Sequence, residues 1–157
     1  YAKQAYLENY SESFFDADVY DFYFELNAKF AVDANKTIWF GINVDIDDFV
    51  NTGDKQSGVA FKVSGNKVYA VWADTNAVPS TYEIEASVPT GYHKYALEYK
   101  KATYIKFYID GVLHHTVSES VPAIYDTYPF GMAVKKVSGT GAGYLNVKNL
   151  ILQRIPI

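Results

Sequence analysis

The side chains of Trp39, Asn43, Asp45 and Asp47 form the most concentrated set of chemically capable groups in this chain. They lie in the run Trp39-Phe-Gly-Ile-Asn-Val-Asp-Ile-Asp47, where Ile38, Phe40, Ile42, Val44 and Ile46 hold the other parity. A strand sends successive side chains to opposite faces. If the apolar row is core, an indole, a gap at Gly41, an amide and two carboxylates line up on the other side. Sugars stack their C–H faces on aromatic rings while amides and carboxylates hydrogen-bond their hydroxyls. The predicted ligand-binding row is therefore Trp39 as an exposed plate with Asn43, Asp45 and Asp47 beside it. Lys62 and Tyr69 join it if their hairpin packs next to this strand. The competing reading is a solvated sheet face on which Trp39 merely covers its neighbours.

The same carboxylates suggest a second chemistry. Asp47, Asp48 and Asp54 sit in or beside a glycine-containing loop, with Asp45 close by and Asp16, Asp18 and Asp21 clustered earlier. Calcium takes six to eight oxygens from such groups, although Asp also favours turns for its own backbone hydrogen bonds. Asp47, Asp48 and Asp54 are the candidate calcium ligands. His114 and His115 are adjacent, so on a strand they diverge and cannot chelate one ion together. There is no phosphate-binding glycine loop, no Gly-x-Ser-x-Gly and no dinucleotide fingerprint. The absence of cysteine excludes disulfides, thiolate metal sites and a cysteine nucleophile.

The elements that must position these groups read as strands. The chain has 157 residues, enough for one domain with a real core, and residues 1–157 show no linker and no repeat. Aromatics make up 17% of it, with 15 Tyr against 2 Trp, which suits broad half-wet sheet faces. Period-2 alternation recurs and no helical period is sustained. From Tyr20 to Val32 the even positions are apolar and predicted to be core, while Asp21, Tyr23, Glu25, Asn27 and Lys29 face water. Val59–Val63 and Lys67–Trp72 form a hairpin; with Gly65-Asn66 as a two-residue loop, Val63 pairs with Val68, Phe61 with Ala70 and Val59 with Trp72. A parity change between Val147 and Leu150 predicts a bulge in the last strand. Asp110-Gly111 marks another tight hairpin. The whole predicts an all-β fold, an antiparallel two-sheet jelly-roll sandwich of ten to twelve strands.

A net charge of −4, a pI near 5.3 and scattered basic residues argue against nucleic acid as a partner. No apolar run approaches the ~20 residues of a membrane span, so membrane insertion is not expected. The chain begins at Tyr1 without a signal-like segment, which reads as a mature product or a piece of a longer protein.

Four segments carry a family resemblance. They are the strand Tyr20–Phe30, the run Ser57-Gly-Val-Ala-Phe-Lys-Val63, the region from Gly91 to Val112 with its Ile105-Lys-Phe-Tyr-Ile-Asp-Gly-Val112 ending, and the closing Leu145-Asn-Val-Lys-Asn-Leu-Ile-Leu152. In this order they resemble the concanavalin A-like lectin/glucanase superfamily, its laminin-G-like domains in particular. The resemblance implies a concanavalin A-like jelly roll, a glycan or polysaccharide partner, and an extracellular, cell-surface or virion-surface setting. Calcium at a sheet edge is a further implication, although Asn146 or Asn149 stands where many relatives place an acidic residue. Relatives that resemble laminarinases carry Glu-x-Asp-x-(x)-Glu on one strand, and retaining hydrolysis needs two carboxyls about 5–5.5 Å apart. Here Asp45-Ile-Asp-Asp-Phe49 contains no Glu, and either alignment leaves one catalytic position filled by Asn43 or Phe49. The expected function is thus a non-catalytic carbohydrate-binding module. The alternatives are a structural or adhesive module that contacts other protein subunits and, third, a glycoside hydrolase with a degenerate site.

Overall fold

In the computed structural model the described residues are 3–6, 20–31, 36–42, 58–73, 78–123, 130–136 and 144–156. They form eleven strands: β1 (Lys3–Tyr6), β2 (Tyr20–Ala31), β3 (Lys36–Ile42), β4 (Gly58–Ser64), β5 (Lys67–Ala73), β6 (Ser80–Glu85), β7 (His93–Lys100), β8 (Tyr104–Ile109), β9 (Val112–Val117), β10 (Gly131–Lys136) and β11 (Tyr144–Pro156). A six-stranded sheet runs β1-β10-β3-β4-β5-β6 and a five-stranded sheet runs β11-β2-β7-β8-β9. Every pairing is antiparallel.

The alternation seen in the sequence decides which side chains meet between the sheets. Phe22, Phe24, Leu26, Ala28 and Phe30 of β2 face Ile38, Phe40 and Ile42 of β3 and Val59, Phe61 and Val63 of β4 in one apolar core. Its middle is aromatic. Phe40 stacks on Phe61 with centroids 5.2 Å apart, and Phe61 meets Phe107 edge-on at 5.3 Å. Such pairs add about 0.5–1.5 kcal/mol to what their burial contributes. Tyr99 is fully buried, and its hydroxyl donates to the Pro122 carbonyl at 3.0 Å.

The turns are set by local backbone chemistry. Gly65 and Asn66 have φ of 57° and 63°, the two left-handed positions of a type I′ hairpin, and the β4–β5 register is the one that such a loop dictates. Asp110 and Gly111, at 51° and 79°, do the same between β8 and β9. The bulge in β11 falls between Val147 and Asn149. Asp21 has a structural role here: its Oδ1 accepts the Lys101 N–H at 3.1 Å and so ties down the β7–β8 link. Asp16, Asp18, Val44 and Ile46 lie outside the described residues. Among the described residues no helix is long and apolar enough to cross a membrane.

Candidate functional site

Each sheet has a face turned away from the core, and the two faces differ in what they hold. On the six-stranded sheet the register aligns Ala133, Trp39, Lys62 and Tyr69 across β10, β3, β4 and β5. The β4–β5 hairpin does pack beside β3, so Trp39, Lys62 and Tyr69 share one face. The Lys62 ammonium lies over both rings, 5.0 Å from the Trp39 centroid and 5.9 Å from that of Tyr69. Burial, with a smaller contribution from Lys135, pushes its pKa below the usual lysine value.

Trp39 differs from the exposed plate expected of it. It is 7% exposed and packs with Ala60, Val71, Ala73 and Ala133 in a second apolar cluster, with Tyr69 against it. Gly41 lies on this face, directly opposite Ala60 of the neighbouring strand. A Cβ built on Gly41 would sit 2.2 Å from the Val59 carbonyl oxygen and 2.6 Å from Ala60 Cα. Only glycine fits there. The remaining members of the predicted row, Asn43, Asp45 and Asp47, and the candidate calcium ligands Asp47, Asp48 and Asp54, lie outside the described residues. Among the described residues no three His, Asp or Glu side chains group as a metal site would require.

The outward face of the five-stranded sheet is open and polar. Strand register puts Tyr23 of β2 opposite Glu98 of β7, Glu25 opposite Ala96, and Asn27 opposite Lys94. On the other side of β7, Ala96 faces Tyr108 and Glu98 faces Lys106 of β8. Ala96 is small and its neighbours are long, so a hollow of about 240 Å³ opens above it. Tyr23, Glu25, Lys94, Glu98, Tyr108 and Gly111 form its sides.

Hydrogen bonds fix those sides. The Tyr23 hydroxyl donates to Glu25 Oε2 at 2.9 Å, and Lys94 Nζ stands 3.5 Å from Glu25 Oε1. Glu98 accepts the Tyr104 hydroxyl on Oε1 at 2.5 Å and the Tyr108 hydroxyl on Oε2 at 3.1 Å. Burial and the Glu25 carboxylate push the Tyr23 phenol up to about 12. The hydrogen bond to Glu98 and burial do the same to Tyr104, also to about 12. Tyr108 is raised by burial and by Glu98. All three phenols therefore keep their protons at neutral pH. Nearby, Asn27 Oδ1 is a buried acceptor with no donor among the described residues.

The rim at Gly111 is held by an ion pair. His93 Nδ1 lies 2.6 Å from Asp110 Oδ2, and its Nε2 lies 2.9 Å from the Thr90 carbonyl oxygen. Two acceptors on two ring nitrogens favour imidazolium, and the pKa of His93 is raised by Asp110 first and Thr90 second. Partial burial pushes the Asp110 carboxyl upward, but the Lys94 N–H and His93 outweigh it and hold the carboxyl below its usual value.

None of the residues around this hollow belongs to the row that the sequence singled out. Tyr23, Glu25 and Asn27 read as the wet parity of a core strand, and Lys94, Glu98 and Tyr108 fall in the Gly91–Val112 region, for which the sequence singled out only the Asp110-Gly111 turn. A signal was present. Tyrosines recur on the water-facing parity of β2 and β8, with Ala96 set among the charged residues of β7.

No protein-family profile matches the sequence, and no curated protein matches it. Solved structures share the fold. One is the Bacillus licheniformis beta-glucanase, with TM-score 0.63 and 20% identity over 85% of this chain and 65% of the enzyme. Another is the carbohydrate binding module CBM66 from Bacillus subtilis, with TM-score 0.55 and 13% identity over 85% of this chain and 75% of the module. A third is the Botulinum neurotoxin serotype D binding domain, with TM-score 0.61 and 11% identity over 95% of this chain and 36% of that one. The chain thus spans slightly under two thirds of the glucanase's length. The fold is a concanavalin A-like jelly roll.

Proposed function

We propose that this chain is a non-catalytic carbohydrate-binding module whose ligand sits on the open face of the five-stranded sheet. The observation that carries the reading is the convergence of Tyr23, Glu25, Glu98 and Tyr108 around Ala96. Aromatic faces and oriented carboxylates on a shallow, water-exposed sheet suit a sugar ring, which offers C–H surface and hydroxyls together. The hollow is smaller than the roughly 300–1,000 Å³ of sites for drug-sized ligands, so it fits one sugar unit of a longer glycan. The names of the structural relatives, a beta-glucanase and a carbohydrate binding module, support the same ligand class.

The non-catalytic part of the reading rests on the carboxylates. Both oxygens of Glu98 already accept phenol protons, and one Glu25 oxygen does the same. The Asp45-Ile-Asp-Asp-Phe49 run lacks the glutamates of a laminarinase-type strand. A glycan array followed by calorimetric titration tests the proposal. Binding that falls about tenfold in Tyr108→Ala, as loss of one stacked ring predicts, and stays unchanged in Lys62→Ala supports it. Binding that depends on Lys62 and not on Tyr108 moves the site to the other sheet. Release of reducing sugar from laminarin or lichenan, abolished by Glu98→Gln, refutes the non-catalytic reading.

A structural or adhesive role is favoured by a different observation. The edge strand β11 leaves Tyr144, Ile151 and Ile155 each about 40% exposed on its outward parity, an apolar row suited to contact with another protein subunit. A concentration-dependent increase in sedimentation coefficient, removed by Ile151→Lys, is its test.

A further inference from the structure

We infer, building on the glycan reading above, that the hollow on the five-stranded sheet selects a sugar unit bearing a free, protonated amine. The inference follows from where the protons around the hollow are. Tyr23, Tyr104 and Tyr108 each have one hydroxyl proton, and each gives it to a glutamate. Their oxygens then offer only lone pairs, as do the glutamates themselves. Lys94 is the one cation that lines the hollow, and it already stands 3.5 Å from Glu25. Apart from Lys94, the polar side chains that line the hollow offer only acceptors, so a ligand rich in hydrogen-bond donors suits it.

Charge points the same way. Glu98 has no cationic partner among the described residues. Lys106, opposite it in register, has its ammonium 4.2 Å from the Tyr104 ring centroid, a cation on a tyrosine face. Two carboxylates stand against one ammonium around the hollow. A uronate or sialate would add like charge and further acceptors. An acetamido group replaces two amine hydrogens with a carbonyl acceptor and removes the positive charge. A neutral hexose brings hydroxyl donors but leaves Glu98 without a counter-charge. An ammonium supplies three donors and the missing charge, and tyrosine faces attract cations.

The experiment uses the whole chain and four trisaccharides: the glucosamine trimer, its fully N-acetylated counterpart, cellotriose and a triuronate. Titration at low salt is expected to show the glucosamine trimer binding about tenfold tighter than the acetylated one, as one charge-assisted hydrogen bond predicts. The triuronate is expected to bind weakest. In Glu98→Gln, which keeps the shape and removes the charge, the two amino-sugar trimers are expected to come level. The comparison within the wild-type protein stands even if that variant folds poorly, and Glu25→Gln provides a second charge removal. Equal or tighter binding of the acetylated trimer overturns the inference, as does a preference that survives both substitutions. If cellotriose and both amino-sugar trimers bind alike, the inference fails while the glycan reading holds. If none of the four binds, both fail.

Discussion

The two outward faces start from the same alternating pattern and end in opposite states. On the six-stranded sheet, Ala60 and Val71 are fully buried, Trp39 nearly so, and a lysine caps the indole. On the five-stranded sheet, long polar side chains stand around a hollow and spend their protons on one another. Residue size accounts for much of the difference. On the first face the large Trp39 packs over small neighbours, Ala60, Ala73 and Ala133, whereas a lone Ala96 among Tyr, Glu and Lys leaves space on the second. An aromatic residue on an outward face is therefore not by itself a binding residue. What its neighbours leave uncovered decides.

That contrast breaks most visibly at Gly41. Replacing it with Val drives a side chain into the Val59 carbonyl and should cost about 3 kcal/mol or more, read as a lowered denaturation midpoint. Trp39→Ala should cost nearly as much, about 3 kcal/mol, because it empties part of the second cluster. A thermal midpoint within 2 °C of wild type would return Trp39 to the role of an open plate.

Substitutions on the open face should reverse the pattern. Tyr23→Phe removes a donor from Glu25 without removing a ring, so it should change stability by less than about 1 kcal/mol. Its effect belongs in glycan titration, where a severalfold loss is expected. A large stability loss with unaltered binding would mean that the phenols serve the fold alone.

The smallest effect concerns the rim. The pKa of His93 is raised in the folded protein, so its contribution is fully present below the unfolded value and disappears as pH rises through the folded one. The pKa of Asp110 is held down, so its contribution is present above the unfolded carboxylate value and disappears as pH falls through the folded one. Both groups are partly solvated, which screens the pair to a fraction of a kcal/mol. Stability of wild type minus His93→Gln, measured by urea titration from pH 5 to 9, should decline towards the alkaline end. A flat difference would show that the ion pair contributes nothing measurable to the Asp110-Gly111 turn.

Much of this architecture was legible in the residues. The even positions of β2, the β4–β5 register, both left-handed turns and the β11 bulge follow from local chemistry: side-chain period, the φ that glycine and asparagine tolerate, and a parity break. The candidate site was not legible in the same way. Tyr23 and Glu98 lie far apart in sequence, and only the order β11-β2-β7-β8-β9 places them opposite each other. Parity separates inside from outside within one strand, but it cannot tell whether an outward face is covered. Covering is a long-range event, set by strand order and by the bulk of neighbours that the sequence scatters. So the sequence by itself determined two sheets, their core and their turns, while the tertiary structure alone decided that Trp39 is packed and that the tyrosines and glutamates converge on an open hollow.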